Sequence, residues 1–390
     1  MILEKISLTN FKNYKNCTLE FNPGLNFVYG GNGNGKTNLL EAISILSYTK
    51  SFLQNTDNNC ISFGENYYET SGVFYNKVDS RSVVYCRYSN NDKELIRNDE
   101  KIKKFSSFLG EYPLVVLSPG DIRLTSGPPS ERRRNFDLLI AQSSRMYLED
   151  LRNYNKVLKQ KNKLLKENLY SLKYNRAELL KMLEVWNDEL CKYAVKVIIR
   201  RLDFIDNFKS YMSNSFSKLA IAGYEPVIGY ESEFLPPEAR RLSAGEIRSN
   251  ISSVLSKKID SEIRRGVSLA GPHRDNYVFE IVKDGVLFDL RTHASQGEHK
   301  TFISALKFSE FDYIKANTEH TLSGDPIFLL DDVFSELDVS RIERISSTIG
   351  SYGQVFITTT DYSHLALLKN SFGNNYSAFK IVNGNVENAG

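Results

Sequence analysis

The sequence predicts an α/β fold in which both ends of the chain build one mostly parallel sheet, with a helical segment inserted between them. Three observations predict it. A glycine-rich loop, "GGNGNGKT", follows an apolar run near the start. A second apolar run near the end, "PIFLL", closes on the paired aspartates Asp331 and Asp332. Between them lies a lysine-rich stretch in which leucines recur seven residues apart.

Five glycines (Gly24, Gly30, Gly31, Gly33, Gly35) crowd the stretch that ends in Lys36. Glycine costs entropy wherever the chain is ordered, so a cluster implies that side chains would obstruct something. "GGNGNGKT" fits G-x-x-x-x-G-K-[ST], the phosphate-binding P-loop. Its context fits too: "LNFVY" reads as a strand and "KTNLLEAISIL" as the helix that follows. Backbone N–H groups of Gly30, Gly31, Asn32, Gly33, Asn34 and Gly35 would converge on phosphate, with the helix dipole aimed at the same anion. Lys36 would reach the terminal phosphates, Thr37 would offer its hydroxyl to Mg²⁺, and Asn38 lies in the same first turn. The cofactors expected are ATP and Mg²⁺.

A P-loop requires a carboxylate from another strand. Ile327–Leu330 is continuously apolar, as suits a strand buried on both faces of a parallel sheet. Asp331 then falls at its C-terminal end, where nucleotide sites form, and is assigned to the metal. Asp332 is the candidate for positioning the attacking water, with Lys36 the other catalytic residue. Thr37 and Asp331 must meet at one ion although they stand near opposite ends of the chain. That requirement joins residues 1–125 and 245–390 into one head and leaves 126–244 as a helical insertion, a short arm.

The insertion has its own texture. "SPGDIRLTSGPPSERRR" reads as a loop and boundary, because prolines and glycines gather there. Beyond it Leu151, Leu158, Leu165 and Leu172 form a heptad-like stripe, with Tyr147 and Tyr154 between. Leu183, Trp186, Leu190 and Val197 mark a second helix after a break near "LYSLKYNRAEL", and prolines return at Pro226, Pro236 and Pro237. Residues 131–210 hold 18 Lys and Arg against 11 Asp and Glu, a surplus of +7, while the remainder carries −4. That asymmetry suggests an acidic partner. Arg132, Arg133 and Arg134 are candidate phosphate contacts, as are Lys156, Lys159 and Lys163. For Lys156, Lys159, Lys161, Lys163 and Lys166, a solvated helix face is the commoner reading.

Composition narrows the class. The chain has 390 residues, 41% of them apolar and 25% charged, which fits a globular protein. No apolar run approaches the roughly 20 residues of a membrane span, and "MILEKISLTNFKNYKNCTLEF" reads as strand rather than leader. Four scattered cysteines (Cys17, Cys60, Cys86, Cys191) argue for a reducing cytoplasm. His273, His293, His299, His320 and His364 lack metal-ligand spacing.

The third element, "HASQGEHK" at 293–300, would alone be a helix N-terminus. Its weight comes from order: P-loop, then this loop, then the acidic strand, then "SELD" at 335–338. In that order, with "GPPSERRR" and "GPHRDN", the chain resembles the ABC-type ATPase heads of chromosome maintenance proteins, and among them the RecF family of bacterial recombination mediators. The resemblance covers nearly the whole chain. It implies an ABC-type head in which ATP is sandwiched between two subunits. Ser295, Gln296, Gly297 and Glu298 would face the partner's nucleotide, with "SELD" at the interface. It further implies an ATP-dependent homodimer with weak ATPase activity. Such a dimer would bind duplex DNA and gapped or single-strand junctions, and with RecO and RecR help load the RecA recombinase. Three positions depart from the pattern: Thr360 where transporters carry histidine, Leu53 where relatives often carry arginine, and Asn276 in place of an aspartate. An SMC-like structural ATPase would need far longer heptads. A small-molecule kinase would lack "SQGE" and "SELD", and a transporter subunit would carry the histidine.

Overall fold

The computed structural model describes residues 1–76, 81–171, 174–219, 223–236, 242–317, 324–335 and 339–388. Leu172, Pro237, His320 and residues 336–338 of "SELD" lie outside them.

Short apolar runs build the central sheet. Its strands lie in the order Asn385–Asn388, Tyr376–Val382, Leu25–Tyr29, Val355–Thr359, Ile327–Leu330 and Leu114–Leu117. All neighbours are parallel except the first pair. Ile327–Leu330 and Leu114–Leu117 are buried throughout, which is why they read as unbroken apolar runs rather than alternating ones; Val355–Thr359 is buried as completely but ends in two threonines. A second, antiparallel sheet runs Tyr14–Glu20, Ile2–Phe11, Tyr67–Tyr75, Ser82–Ser89, Asp92–Arg97, Glu100–Lys101. Burial alternates along Tyr67–Tyr75, as expected with one face on a core. That core packs Leu3, Ile6, Leu8, Phe11 and Phe74 against Leu39, Leu40, Ile43 and Leu46 of the P-loop helix Lys36–Tyr48. Buried Gln354 links the sheets, accepting from Leu3 N–H and donating to Leu3 C=O at 2.7 and 2.8 Å.

The chain divides into two compact units. The first holds Met1–Thr125, Tyr211–Glu225 and Ala294–Gly390; the second holds Ser126–Ser210 and Pro226–His293. The sequence predicts residues 245–293 in the head, whereas they cluster with the insertion. The reason is packing. In the helix Ala244–Arg265, Ile259 and Ile263 lie against Leu164, Leu165, Leu179 and Leu183. In the strand Asn276–Lys283, Tyr277 packs its ring 4.4 Å from that of Phe136.

The stretch read as a loop and boundary is largely helical. Ile122–Ser126 is a short helix that ends at the boundary, and Pro129–Ser143 begins with proline in its first turn, where the missing N–H costs nothing. Two long helices follow, Arg145–Ser171 and Arg176–Leu219, the latter belonging to the first unit from Tyr211 onward. The buried seam of Arg145–Ser171 is offset from the leucine stripe. It runs through Tyr147, Asp150, Tyr154, Val157, Lys161, Leu164, Leu165 and Asn168, while Leu151 and Leu158 are only partly covered. Lys161 is therefore no part of a solvated face. It is fully buried, with Nζ 2.7 Å from Glu262. Among the described residues no helix is long and apolar enough to cross a membrane.

Candidate nucleotide site

Two constraints shape the P-loop. Gly30 has φ +152°, and a Cβ there would lie 2.3 Å from the carbonyl oxygen of Ile381. Gly35 has φ +113°, and its Cβ would meet the Asn13 side chain at 2.4 Å. Alanine fits neither position. Gly31, Asn32 and Gly33 are exposed at the tip, available to an anion.

The loop is braced from two sides. Asn13 Nδ2 donates to the Asn34 carbonyl at 2.7 Å, and Asn38 donates to Asn13 Oδ1 at 2.8 Å. Tyr14 donates to the Gly35 carbonyl at 3.0 Å. Opposite, Gly384 N–H donates to the Asn34 carbonyl, and the Asn34 side chain donates to Ile381 C=O. The side chains of Asn34 and Asn38 thus hold the loop's shape. Asn13 and Tyr14 fall outside the P-loop motif and are not among the residues it predicts, although "NFKNY" stands in the sequence as their signal.

Lys36 is buried, and its Nζ donates to the carbonyls of Gly30 and Gly31 at 2.8 and 2.9 Å. Burial lowers its pKa, with Asp332 and then Asp331 pulling it back up. Thr37 Oγ1 lies 2.9 and 3.0 Å from the two carboxylate oxygens of Asp331, although 294 positions separate the residues. Burial raises the Asp331 pKa, opposed by hydrogen bonds from Thr358 and Thr37. A hydroxyl and a carboxylate side by side form a hard oxygen donor set that suits Mg²⁺. Asp332 follows with φ +49°, rare for a residue with a side chain.

The loop at 293–300 opens the helix Gln296–Asn317. Ser295 and Glu298 form a reciprocal cap: Glu298 N–H donates to Ser295 Oγ at 3.3 Å, and Ser295 N–H donates to Glu298 Oε2 at 2.7 Å. Ser295 and Gln296 are exposed. At Gly297 a Cβ would stand 2.6 Å from the Arg341 guanidinium, so this glycine admits the arginine. Lys300 donates to the carbonyl of Ser335, the one "SELD" residue described. Further along the helix, Lys307 is buried between Glu310 at 3.1 Å and Asp121 at 3.6 Å.

The candidate DNA contacts lie in the second unit. Arg132 is buried, with its guanidinium on Asn276 Oδ1 at 2.9 Å and on the Gly127 carbonyl at 3.1 Å. Arg133 is half-buried and donates to the Asp275 carbonyl. The blocks "GPPSERRR" and "GPHRDN" therefore clasp each other, and Asn276 serves as the acceptor for Arg132. Arg134, Lys156, Lys159 and Lys163 are exposed, Lys163 near Glu167 at 3.7 Å. Neighbouring polar groups are also internal. Arg201, 1% exposed, spans Asp137 at 2.9 Å and the Pro272 carbonyl at 2.7 Å. Burial pushes the Asp275 pKa up to about 6 and the His273 pKa down to about 4.

A parallel sheet with a P-loop on one strand, an acidic pair on another and a capped "SQGE" helix in the same unit defines an ABC-type P-loop ATPase head. The family described as RecF/RecN/SMC N terminal domain matches residues 2–380. "DNA replication and repair protein RecF" of Chloroherpeton thalassium is 39% identical over 372 residues, covering 95% of this chain and 97% of its own. The protein of that name from Bacteroides thetaiotaomicron is 32% identical, over 100% and 99%. The chain belongs to the RecF family. A solved structure described as "recombination mediator protein RecF-ATPrS in RecFOR pathway" matches with TM-score 0.86 at 30% identity, covering 100% of this chain and 98% of that one. An Smc head domain from Pyrococcus yayanosii matches with TM-score 0.55 at 15% identity, a likeness of fold.

Proposed function

We propose that this protein is a slow ATPase of recombinational DNA repair and replication. Its ATP-bound homodimer binds DNA and, with RecR and RecO, helps load RecA at gaps. The observation that carries the reading is the contact of Thr37 with Asp331, which brings the two ends of the chain together where the proposed nucleotide and metal would bind. The relatives named for DNA replication and repair, and the solved RecF structure described with ATP, support it.

In this reading the backbone of 30–35 receives the phosphates. Lys36 Nζ exchanges the carbonyls of Gly30 and Gly31 for phosphate oxygens. Thr37 and Asp331 would hold Mg²⁺, which supplies charge against the phosphates. Asp332 positions the water in line with the bond to be broken. Ser295, Gln296 and Gly297 meet the nucleotide of the second subunit, so ATP joins the pair and hydrolysis releases it. Arg134, Lys156, Lys159 and Lys163 contact the DNA backbone, and the protein works in the cytoplasm.

The test is Lys36→Met. It removes the cation at the phosphates and should abolish both ATP binding and hydrolysis. Wild-type binding of a fluorescent ATP analogue by Lys36→Met would refute the site.

A further inference from the structure

We propose that Thr358 is a positioning residue that sets the metal ligand and the water-orienting residue together; this rests on the roles just given to Asp331 and Asp332. Thr358 lies in the strand Val355–Thr359, immediately beyond the register pair Leu330 and Ile357, and so beside Asp331. It is fully buried. A strand covered on both faces ordinarily fills such a place with valine or isoleucine. Here Val355, Phe356 and Ile357 are apolar, and Thr358 and Thr359 break the rule.

Its hydroxyl has two partners. Thr358 Oγ1 donates to Asp331 Oδ1 at 2.6 Å and accepts from the Asp332 N–H at 2.9 Å. The Asp332 N–H also reaches the Thr358 carbonyl at 3.2 Å. One side chain therefore grips the carboxylate of one aspartate and the backbone of the next. The second grip matters because Asp332 sits at φ +49°, a conformation that persists only where its surroundings impose it.

The first grip matters for the metal ligand. Thr37 Oγ1 lies within hydrogen-bond distance of both oxygens of Asp331. The Thr37 hydroxyl has one proton for two oxygens, whether or not its lone pair meets a cation. The Thr358 proton goes to Oδ1 alone and so fixes the carboxylate rotamer on one oxygen. A valine has the same shape and neither bond.

The experiment compares wild type with Thr358→Val and Thr358→Ser. A fluorescent, non-hydrolysable ATP analogue is titrated in EDTA and across a Mg²⁺ series, alongside steady-state hydrolysis and thermal melting. Thr358→Val should melt near wild type and bind the analogue equally in EDTA. Its half-saturating Mg²⁺ should rise about tenfold and its kcat fall about tenfold, in the range for losing one buried hydrogen bond to a charged group, with KM for ATP little changed. Thr358→Ser should recover both quantities. A wild-type Mg²⁺ midpoint and kcat in Thr358→Val would overturn the proposal, as would equal impairment of the serine variant. A wild type whose binding and turnover ignore Mg²⁺ would instead remove the reading of the whole site, and this proposal with it.

Discussion

Lys161→Met isolates a feature that no charge count reveals. Lys161 and Glu262 are both fully buried, with Nζ and Oε2 2.7 Å apart. Glu262 Oε1 accepts from Ser268 Oγ at 2.9 Å and from Leu269 N–H at 2.8 Å. Methionine keeps the length of the side chain and removes the cation, so Oε2 is left buried beside no charge. Breaking a buried pair from one side costs about 3–5 kcal/mol. At about 2–4 °C per kcal/mol for a unit of this size, melting should fall by on the order of 10 °C, read by circular dichroism. Glu262→Gln in the same chain keeps the Oε1 acceptor and removes the orphaned charge. The double variant should therefore recover about 2 kcal/mol, measured as the coupling of a double-mutant cycle. Melting of Lys161→Met within about 1 °C of wild type, with coupling below about 0.5 kcal/mol, would refute the reasoning and return Lys161 to the solvated basic face.

Asp332→Asn should leave ATP binding intact and lower turnover, with a longer-lived dimer; unchanged hydrolysis would remove Asp332 as the water-positioning group. Ser295→Arg should bind ATP as a monomer but fail to dimerise, since the new cation fills space needed by the opposing nucleotide, and light scattering reads the difference. Replacing Lys156, Lys159 and Lys163 with glutamine should weaken duplex binding and flatten its salt dependence, by roughly 0.9 in log–log slope for each phosphate that is no longer neutralised. An unchanged dissociation constant and slope would exclude that helix face.

The pairing of the two ends of the chain could be read from the sequence. The P-loop spacing and the end of an apolar strand predict that Thr37 and Asp331 meet, and Thr37 Oγ1 lies 2.9 Å from Asp331. What stayed hidden depends on partners remote in sequence. Lys161 looks like its neighbours Lys159 and Lys163 until Glu262, about a hundred residues on, is seen against it. Arg132 reads as a free cation until Asn276 takes its guanidinium. The leucine stripe misplaces the seam because Asp150, Lys161 and Asn168 are buried polar residues, and hydrophobic periodicity counts them as surface. The same blindness puts the helix Ala244–Arg265 in the head, since an amphipathic pattern shows that a helix packs but not against what. Thr358 follows an apolar run and looks like the end of a strand.

The central claim, that ATP joins two copies of this chain, is tested most directly by the protein's mass in solution. Multi-angle light scattering without nucleotide should give 44.5 kDa. With saturating ATP and Mg²⁺, in the Asp332→Asn background to slow turnover, the mass should double. A mass that stays at the monomer value while bound ATP is demonstrated in the same sample would contradict the account.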